Sequence, residues 1–414
     1  MTTSQTQSIQ TTDRRRRDLL KAGAFAFGVA ASSLAMGIAG AQAQETIRFG
    51  ALPSATGPGG AIGAALTIGV DMAVAEINAA GGVLGKQIEI VRGDTQSNPT
   101  AAAGETRRLI ERENIKVLFG PLYSQEAVPS VEVATQAKVV QITNAGTAEL
   151  TPKVGPYHFS FNTSAATAAK VMVDYVAEQL GAKKVAILAD NGGQSRSGVA
   201  AVKENLKERG IELVAEQEYR FHADDLSPQI LSLRRAEPEA VLFFTSIVED
   251  GALMLSTLAQ VGWQPPVVGA TAMAVYAPAI ARSVGPEAFE NVYSAAYKGM
   301  TYCAADAEGA SRYAQFATAL NAFAPEQAGK VSVSLASEYY DSVKLLVAGI
   351  EATGGTDGPA LARWIETEGP KVPLIHGAIS PSGESHFLFG PEELAIVHRP
   401  NETRGDGLMK RSGC

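Results

Sequence analysis

Residues 116–127 read Lys-Val-Leu-Phe-Gly-Pro-Leu-Tyr-Ser-Gln-Glu-Ala. An apolar run ends in Gly120-Pro121, a small turn follows, and Ser124 stands ahead of a helix-like segment with Ala127, Val128, Val131, Val133 and Ala134. A strand, a turn and a helix N-terminus leave unpaired backbone N–H groups at the positive end of a helix dipole. A serine hydroxyl there adds one more donor. The junction suits an anion, and in a small organic molecule that anion is a carboxylate. Ser124 is either the partner of that carboxylate or an ordinary N-cap, and the stretch alone leaves both open.

Other constellations carry less. The glycines of residues 57–63 lack the Lys-Ser/Thr of a phosphate-binding loop and do not fit G-x-G-x-x-G. Residues 192–198, Gly-Gly-Gln-Ser-Arg-Ser-Gly, miss the spacing of a nucleophile elbow, and no Asp-then-His order supports one. His158, His222, His376, His386 and His398 are scattered and form no metal-ligand pair, so no metal is expected. Asp224-Asp225 and Glu249-Asp250 fall near expected helix starts, where acids are favoured electrostatically. Nothing positions a nucleophile or a general base, so no catalytic residues, no cofactor and no enzymatic activity are expected.

The elements that must position Ser124 alternate. Residues 46–52 form an expected strand and 53–60 a loop. A helix follows with Leu66, Val70, Val74 and Ile77 on one face, ended by Gly81-Gly82. Strand 87–91, helix 100–113, strand 117–120, a helix from about 125 and strand 139–142 continue the array. After a Pro/Gly-rich joint at 151–156 the pattern restarts. It runs through extended 157–161, helix 171–180, strand 184–188, helix 198–209, strand 211–215, helix 226–235, strand 240–244, helix 253–261 and strand 266–269. A strand at 291–296, helices at about 306–323, 332–352 and 358–368, and a tail of short strands and turns complete it. Alternation of this kind implies parallel sheets covered on both faces. The expected fold class is α/β, two doubly wound parallel-sheet lobes joined by extended crossings that make a hinge.

The 414 residues exceed one compact core and suit two lobes. Hydrophobic residues make up 46% and aromatics 7%, with 41 glycines, which describes a globular Ala/Gly-rich chain. Arg14, Arg15, Arg16, Arg17 and Lys21 against Asp13 and Asp18 give residues 1–43 a net +3, so the rest holds −11 of the total −8. An acidic body without a basic stripe argues against nucleic acid and against anionic membrane surfaces. Arg16-Arg17-Asp18-Leu19-Leu20-Lys21, an Ala/Gly-rich apolar segment and Ala41-Gln42-Ala43 resemble a twin-arginine export signal cleaved after Ala43. No later segment reads as long and apolar enough to span a bilayer, which places the mature protein in the periplasm. Cys303 and Cys414 either pair in that oxidising compartment or leave a free thiol.

Residues 51–58 (Ala-Leu-Pro-Ser-Ala-Thr-Gly-Pro) and 69–86, with Glu-Ile-Asn-Ala-Ala-Gly-Gly-Val-Leu-Gly-Lys at their end, resemble the opening of the leucine/isoleucine/valine-binding protein family. These are periplasmic substrate-binding proteins of ABC importers with the type I two-lobed fold. Asp94, Asn98-Pro99, Gly120 to Ser124, Asp190, Phe244 and Gly269 extend the likeness over nearly all of the mature chain. The resemblance implies three crossings near Phe159, Ala296 and Gly377. Lobe one is then 44–158 with 296–376, and lobe two is 159–295 with 377–414. It places a ligand carboxylate against Tyr123 and Ser124, with Asn144, Ala145 and Gly146 as the second contact of that lobe. Gly146 stands where many members carry threonine, though Thr147 adjoins it. Ile62 matches the pocket wall, and Gln194-Ser195 replaces a frequent Tyr-Gly. The loop 269–272, including Thr271, lacks the acid that amino-acid binders offer to the α-ammonium. Glu249, Asp250 or Asp190 would have to substitute, because an unpaired buried ammonium is costly. Otherwise the ligand lacks an ammonium.

The expected function is capture of a small organic carboxylate, a hydrophobic or branched-chain amino acid first, for ABC permease subunits of the inner membrane, by a monomer. An aromatic acid or amide is the alternative ligand, and a ligand-sensing receptor module or an exported enzyme is the alternative role.

Overall fold

The computed structural model describes residues 45–414; the expected export signal and its cleavage site lie outside the described residues. The chain begins β1 (Thr46–Ala51), α1 (Gly60–Ala79), β2 (Gln87–Arg92), α2 (Pro99–Glu111), β3 (Val117–Phe119), α3 (Ser124–Gln136), β4 (Val140–Thr143) and β5 (His158–Thr163). It continues with α4 (Ala165–Tyr175), β6 (Lys184–Asp190), α5 (Gly193–Arg209), β7 (Glu212–Tyr219), α6 (Ser227–Arg235), β8 (Ala240–Phe244), α7 (Val248–Gln260), β9 (Val267–Gly269), α8 (Thr271–Val284) and β10 (Val292–Tyr297). It ends with β11 (Thr301–Tyr302), α9 (Arg312–Phe323), α10 (Val333–Thr353), α11 (Gly358–Thr367), β12 (Phe387–Phe389), β13 (Leu394–His398) and β14 (Met409–Lys410).

Two six-stranded sheets result. The first has the order β12-β5-β4-β3-β1-β2 and is parallel throughout. The second has the order β13-β10-β9-β8-β6-β7 and is parallel except for β13, which runs against β10. β3, β4, β5 and β8 are buried along their whole length, as strands covered on both faces must be. In such sheets the loops that follow the strands gather at the carboxyl ends, so the cleft between the lobes is lined by them.

The lobe boundaries differ from the sequence expectation. The crossing expected near Phe159 lies inside β5, a member of the first sheet, and the chain leaves that sheet after Thr163. The crossing near Ala296 falls at the end of β10. The third falls between β12 and β13, at residues 390–393, not at Gly377. β12 is three residues in a Gly/Ser/Pro-rich stretch, too short for a periodicity to declare it. It pairs with β5 and keeps residues up to 389 in lobe one. Helix α8 went unread because it starts without a capping side chain and contains Pro278.

Helix α1 corrects a second expectation. Its stretch Ile62–Ala79 is long and apolar enough to cross a membrane by composition. In the fold that apolarity meets α10: a Cβ on Gly69 would lie 2.1 Å from the Ala336 carbonyl oxygen, so only glycine permits the two backbones to approach. Fourteen of the 21 residues of α10 are buried, so the helix is a core spine and its polar residues need partners within the protein. Cys303 and Cys414 form a disulfide that ties the β11 region to β14 and the C-terminal residue.

Candidate functional site

Gly120 closes β3 with a φ of 83°, a conformation that L side chains rarely adopt, and a Cβ there would meet the Leu52 carbonyl oxygen at 2.7 Å. The turn it makes leads straight into α3. Tyr123 holds the N-cap position in extended conformation and makes no side-chain cap; its carbonyl accepts from Glu126 and Ala127. Ser124 is therefore the first helical residue rather than the cap, which removes the ordinary-cap alternative. Its Oγ is buried and has no hydrogen-bond partner among the described residues, and the same holds for the Tyr123 hydroxyl. Leaving buried hydroxyls unpaired costs about 1–3 kcal/mol each, so such groups point to a partner outside the chain. Beneath this turn, burial pushes Glu126 up to about 7 although Ser54 and Thr95 donate to it at 3.1 and 3.2 Å.

Three further helices begin at the cleft in the same state. α5, α7 and α8 have Gly192, Ile247 and Ala270 at their N-caps, and none makes a side-chain cap. By contrast α2, α4, α9, α10 and α11 are capped by the side chains of Asn98, Ser164, Ser311, Ser332 and Asp357. α1 and α6 also begin without a capping side chain, at Gly59 and Leu226, so the cleft helices are marked by the absent cap together with their place in the cavity wall. The cavity between the lobes has a volume of about 40 Å³. Lobe one lines it with Leu122, Tyr123, Ser124, Gln125, Asn144, Asn162, Leu335 and Glu338, and lobe two with Gly193, Gln194, Thr245, Ser246, Thr271, Ala272, Val275, Tyr276 and Tyr297.

Contacts cross the cleft. Tyr123 meets the edge of Phe221 with ring centroids 6.0 Å apart, and the Ala148 N–H donates to Ser197 Oγ at 3.1 Å. Near the crossings, Asn162 Nδ2 donates to the Asn144 carbonyl at 3.0 Å, and the Tyr297 hydroxyl donates to Asn162 Oδ1 at 2.8 Å. Asn144 Nδ2 in turn donates to the Phe161 carbonyl and to Glu338 Oε2. Glu338 is buried, and burial pushes its carboxyl up to about 8; donation from Ser334 and Asn144 opposes the rise and nearby Asp341 adds to it.

Of the residues singled out in the sequence, Tyr123, Ser124, Asn144, Gln194 and Thr271 line the central cavity. Ile62 and Glu249 line a second cavity of about 290 Å³ that shares Val275, Tyr276 and Leu335 with the first. Ala145 and Thr147 are buried behind the wall, and a Cβ on Gly146 would run into Gln194 at 2.5 Å. Ser195 is buried outside the lining. Asp190 Oδ1 accepts from the Gly192 N–H while its Oδ2 is buried without a partner among the described residues, and Asp250 accepts from the N–H groups of His222 and Ala223 with both oxygens. The sequence reading missed Asn162, Tyr276, Tyr297 and Glu338. The last was detectable: Leu335, Glu338, Ser342 and Leu345 share one helical face, and an acid in an apolar stripe is an anomaly.

Two parallel-sheet lobes facing each other across a cleft, with unpaired donors at helix starts, define a two-lobed binder of small molecules. The chain belongs to the periplasmic binding protein family, whose pattern matches residues 46–388. Leu/Ile/Val-binding protein homolog 7 of Brucella abortus is 30% identical over 274 residues, which is 64% of this chain and 68% of the relative. The fold is that of the branched-chain amino acid transporter substrate binding protein LivJ from Streptococcus pneumoniae, solved with isoleucine. The TM-score is 0.72 at 23% identity, covering 88% of this chain and 98% of the other. A solute binding protein of an ABC transporter from R. palustris, solved with 4-hydroxybenzoate, aligns with a TM-score of 0.74 at 19% identity, covering 88% and 95%.

Proposed function

We propose that the protein is the solute-binding component of an ABC importer and carries a small organic carboxylate, a hydrophobic or branched-chain amino acid first, to permease subunits of the inner membrane. It acts as a monomer in the periplasm after export on the twin-arginine signal of residues 1–43. The observation that carries the reading is the pair of buried, unpartnered hydroxyls of Tyr123 and Ser124 at the uncapped start of α3. In this conformation the cavity has room for about three waters by volume, so loading requires the lobes to part. They part about the crossings at 163–165, 297–300 and 390–393, with lobe one built from 45–163, 300–389 and lobe two from the remainder. A second reading, an aromatic acid or amide as cargo, draws support from the relative solved with 4-hydroxybenzoate and from the absence of an acid in 269–272.

A thermal-shift screen of amino acids, benzoate-type acids and amides tests the proposal. A ligand at 100 times its dissociation constant adds about 2.7 kcal/mol of stability, a readily visible shift. Failure of every carboxylate to shift the transition, or chemical turnover of one that does, would overturn it.

A further inference from the structure

Among the described residues Glu338 is the one carboxyl group in the lining of the central cavity, and no cation of the chain lies close enough to hold it in its charged form. Its only ion-pair neighbour among the described residues is His376, whose Nε2 lies 4.0 Å from Oε1. The other ring nitrogen of His376 lies closer to Asp341, at 3.5 Å. One imidazole offsets at most one of two buried carboxylates, and Asp341 also takes the Ile375 N–H at 2.7 Å. Asn144 and Ser334 both donate to Glu338, which arranges it as an acceptor. Tyr276 and Tyr297 line the same cavity, with their hydroxyls donated to the Ser246 carbonyl and to Asn162 Oδ1, so neither offers its O–H to Glu338. The other acids near the cleft stand outside this lining: Asp190 and Asp250 hold backbone N–H groups behind it, although Asp190 Oδ2 has no partner among the described residues, and Glu249 lines the neighbouring cavity.

We infer that Glu338, reaching into the cleft from α10, pairs with a cationic nitrogen on the ligand, so that lobe one grips both ends of a zwitterion. The inference rests on the carboxylate site at Tyr123 and Ser124 described above. It names the ligand class: a molecule with an ammonium group near its carboxylate, as in an amino acid, and not a plain aromatic acid. The ammonium then sits against a helix of the first lobe, and the loop 269–272 has no need of an acid.

Proton linkage follows. Burial pushes Glu338 up to about 8 in the ligand-free protein, so at pH 7 it is largely protonated. An ammonium beside it favours the charged form, and binding expels the proton. The groups around it are Asp341 and Tyr339 on its own helix, His376 from the segment after α11, Tyr297 from β10, Tyr276 from α8 and Tyr313 from α9. Burial, with the Glu338 charge nearby, pushes the four tyrosines further above the neutral range, so none of them titrates there. Affinity for an amino acid should therefore rise as pH goes from 6 to 8.

The test is calorimetry on the exported protein at pH 7, in two buffers of different ionisation heat. The probes are L-leucine, L-isoleucine and L-phenylalanine, their deaminated counterparts 4-methylpentanoate, 3-methylpentanoate and 3-phenylpropanoate, and 4-hydroxybenzoate. We expect at least one amino acid to bind with proton release, its deaminated counterpart to bind about 30-fold or more weaker, and Glu338→Gln to lose about 30-fold or more. A deaminated acid or 4-hydroxybenzoate that binds as tightly as any amino acid, with no proton release and no loss in Glu338→Gln, overturns the inference and leaves the carboxylate site standing. If Glu338→Gln fails to fold, proton release in the unaltered protein decides: its absence overturns the inference. No binding by any of the seven overturns the carboxylate site and this inference together.

Discussion

Ser124 and Glu338 illustrate how differently two site residues can present themselves. Ser124 stood out because strand, Gly-Pro turn and helix start are all local signals. Ser124→Ala should weaken ligand binding by about 1–3 kcal/mol, read by calorimetry, if its hydroxyl meets a charged carboxylate; unchanged affinity would remove it from the site. Glu338 lies mid-helix, and its importance depends on what the fold brings beside it: Asn144 from another loop, Ser334 one turn away and His376 from the far side of α11. Sequence spacing does not encode those partners, though the acid on an apolar face was visible. Burial also sets a sign for stability. Glu338 has its folded-state pKa raised from 4.5 to about 8, so its contribution is fully present below about pH 4.5 and is lost as pH rises to about 8. Denaturant titrations of the ligand-free protein across pH 4.5–8 should show stability falling, and Glu338→Gln should flatten the fall. A slope identical in the two proteins would contradict the burial argument.

The elements were legible in proportion to their length. The array from β1 to β9 follows from apolar runs and glycine stops. β12 and α8 did not, one being three residues long and the other interrupted by Pro278. Helix starts carried partial information: α3, α5, α7 and α8 at the cleft lack capping side chains and α2, α4, α9, α10 and α11 have them, but α1 and α6 lack them too. The α1–α10 contact gives a paired test. Gly69→Ala puts a methyl into the backbone of α10 and should cost about 1–3 kcal/mol or more. Gly104→Ala, at an exposed position of α2 with nothing within 4 Å, should stabilise by about 0.5–1 kcal/mol. Thermal melts of both variants decide it, and equal effects would deny that helix approach limits residue 69.

Across the whole molecule, the contacts over the cleft describe lobes that meet. Phe221 belongs to lobe two and its ring edge rests on Tyr123 of lobe one, so Phe221→Ala removes a contact that exists only when the lobes are together. Such an aromatic pair contributes about 0.5–1.5 kcal/mol beyond its buried area. Ligand affinity should drop about 2- to 10-fold, mostly through faster release, with the melting temperature of the ligand-free protein nearly unchanged. Stopped-flow release rates check this, and an unaltered rate would show that the pair does not latch the lobes. The two-lobed plan was legible because the βα pattern restarts after residue 156, but the crossings were not. They depend on which strand completes which sheet, a long-range pairing with no local mark.

That pairing has a consequence for how the chain is made. β12 adds the outer strand to the first sheet and β13 to the second, and both come from residues 387–398. Their partners β5 and β10 were synthesised far earlier and wait with one edge bare. Until residue 387 has left the ribosome, the buried strands β5 and β10 stand as the sheet edges in both lobes at once, a surface prone to pair with a stranger. A nascent chain stalled before 387 would hold nearly every core residue and still be a nucleus for aggregation. One dozen residues therefore supply the outer strand of both halves.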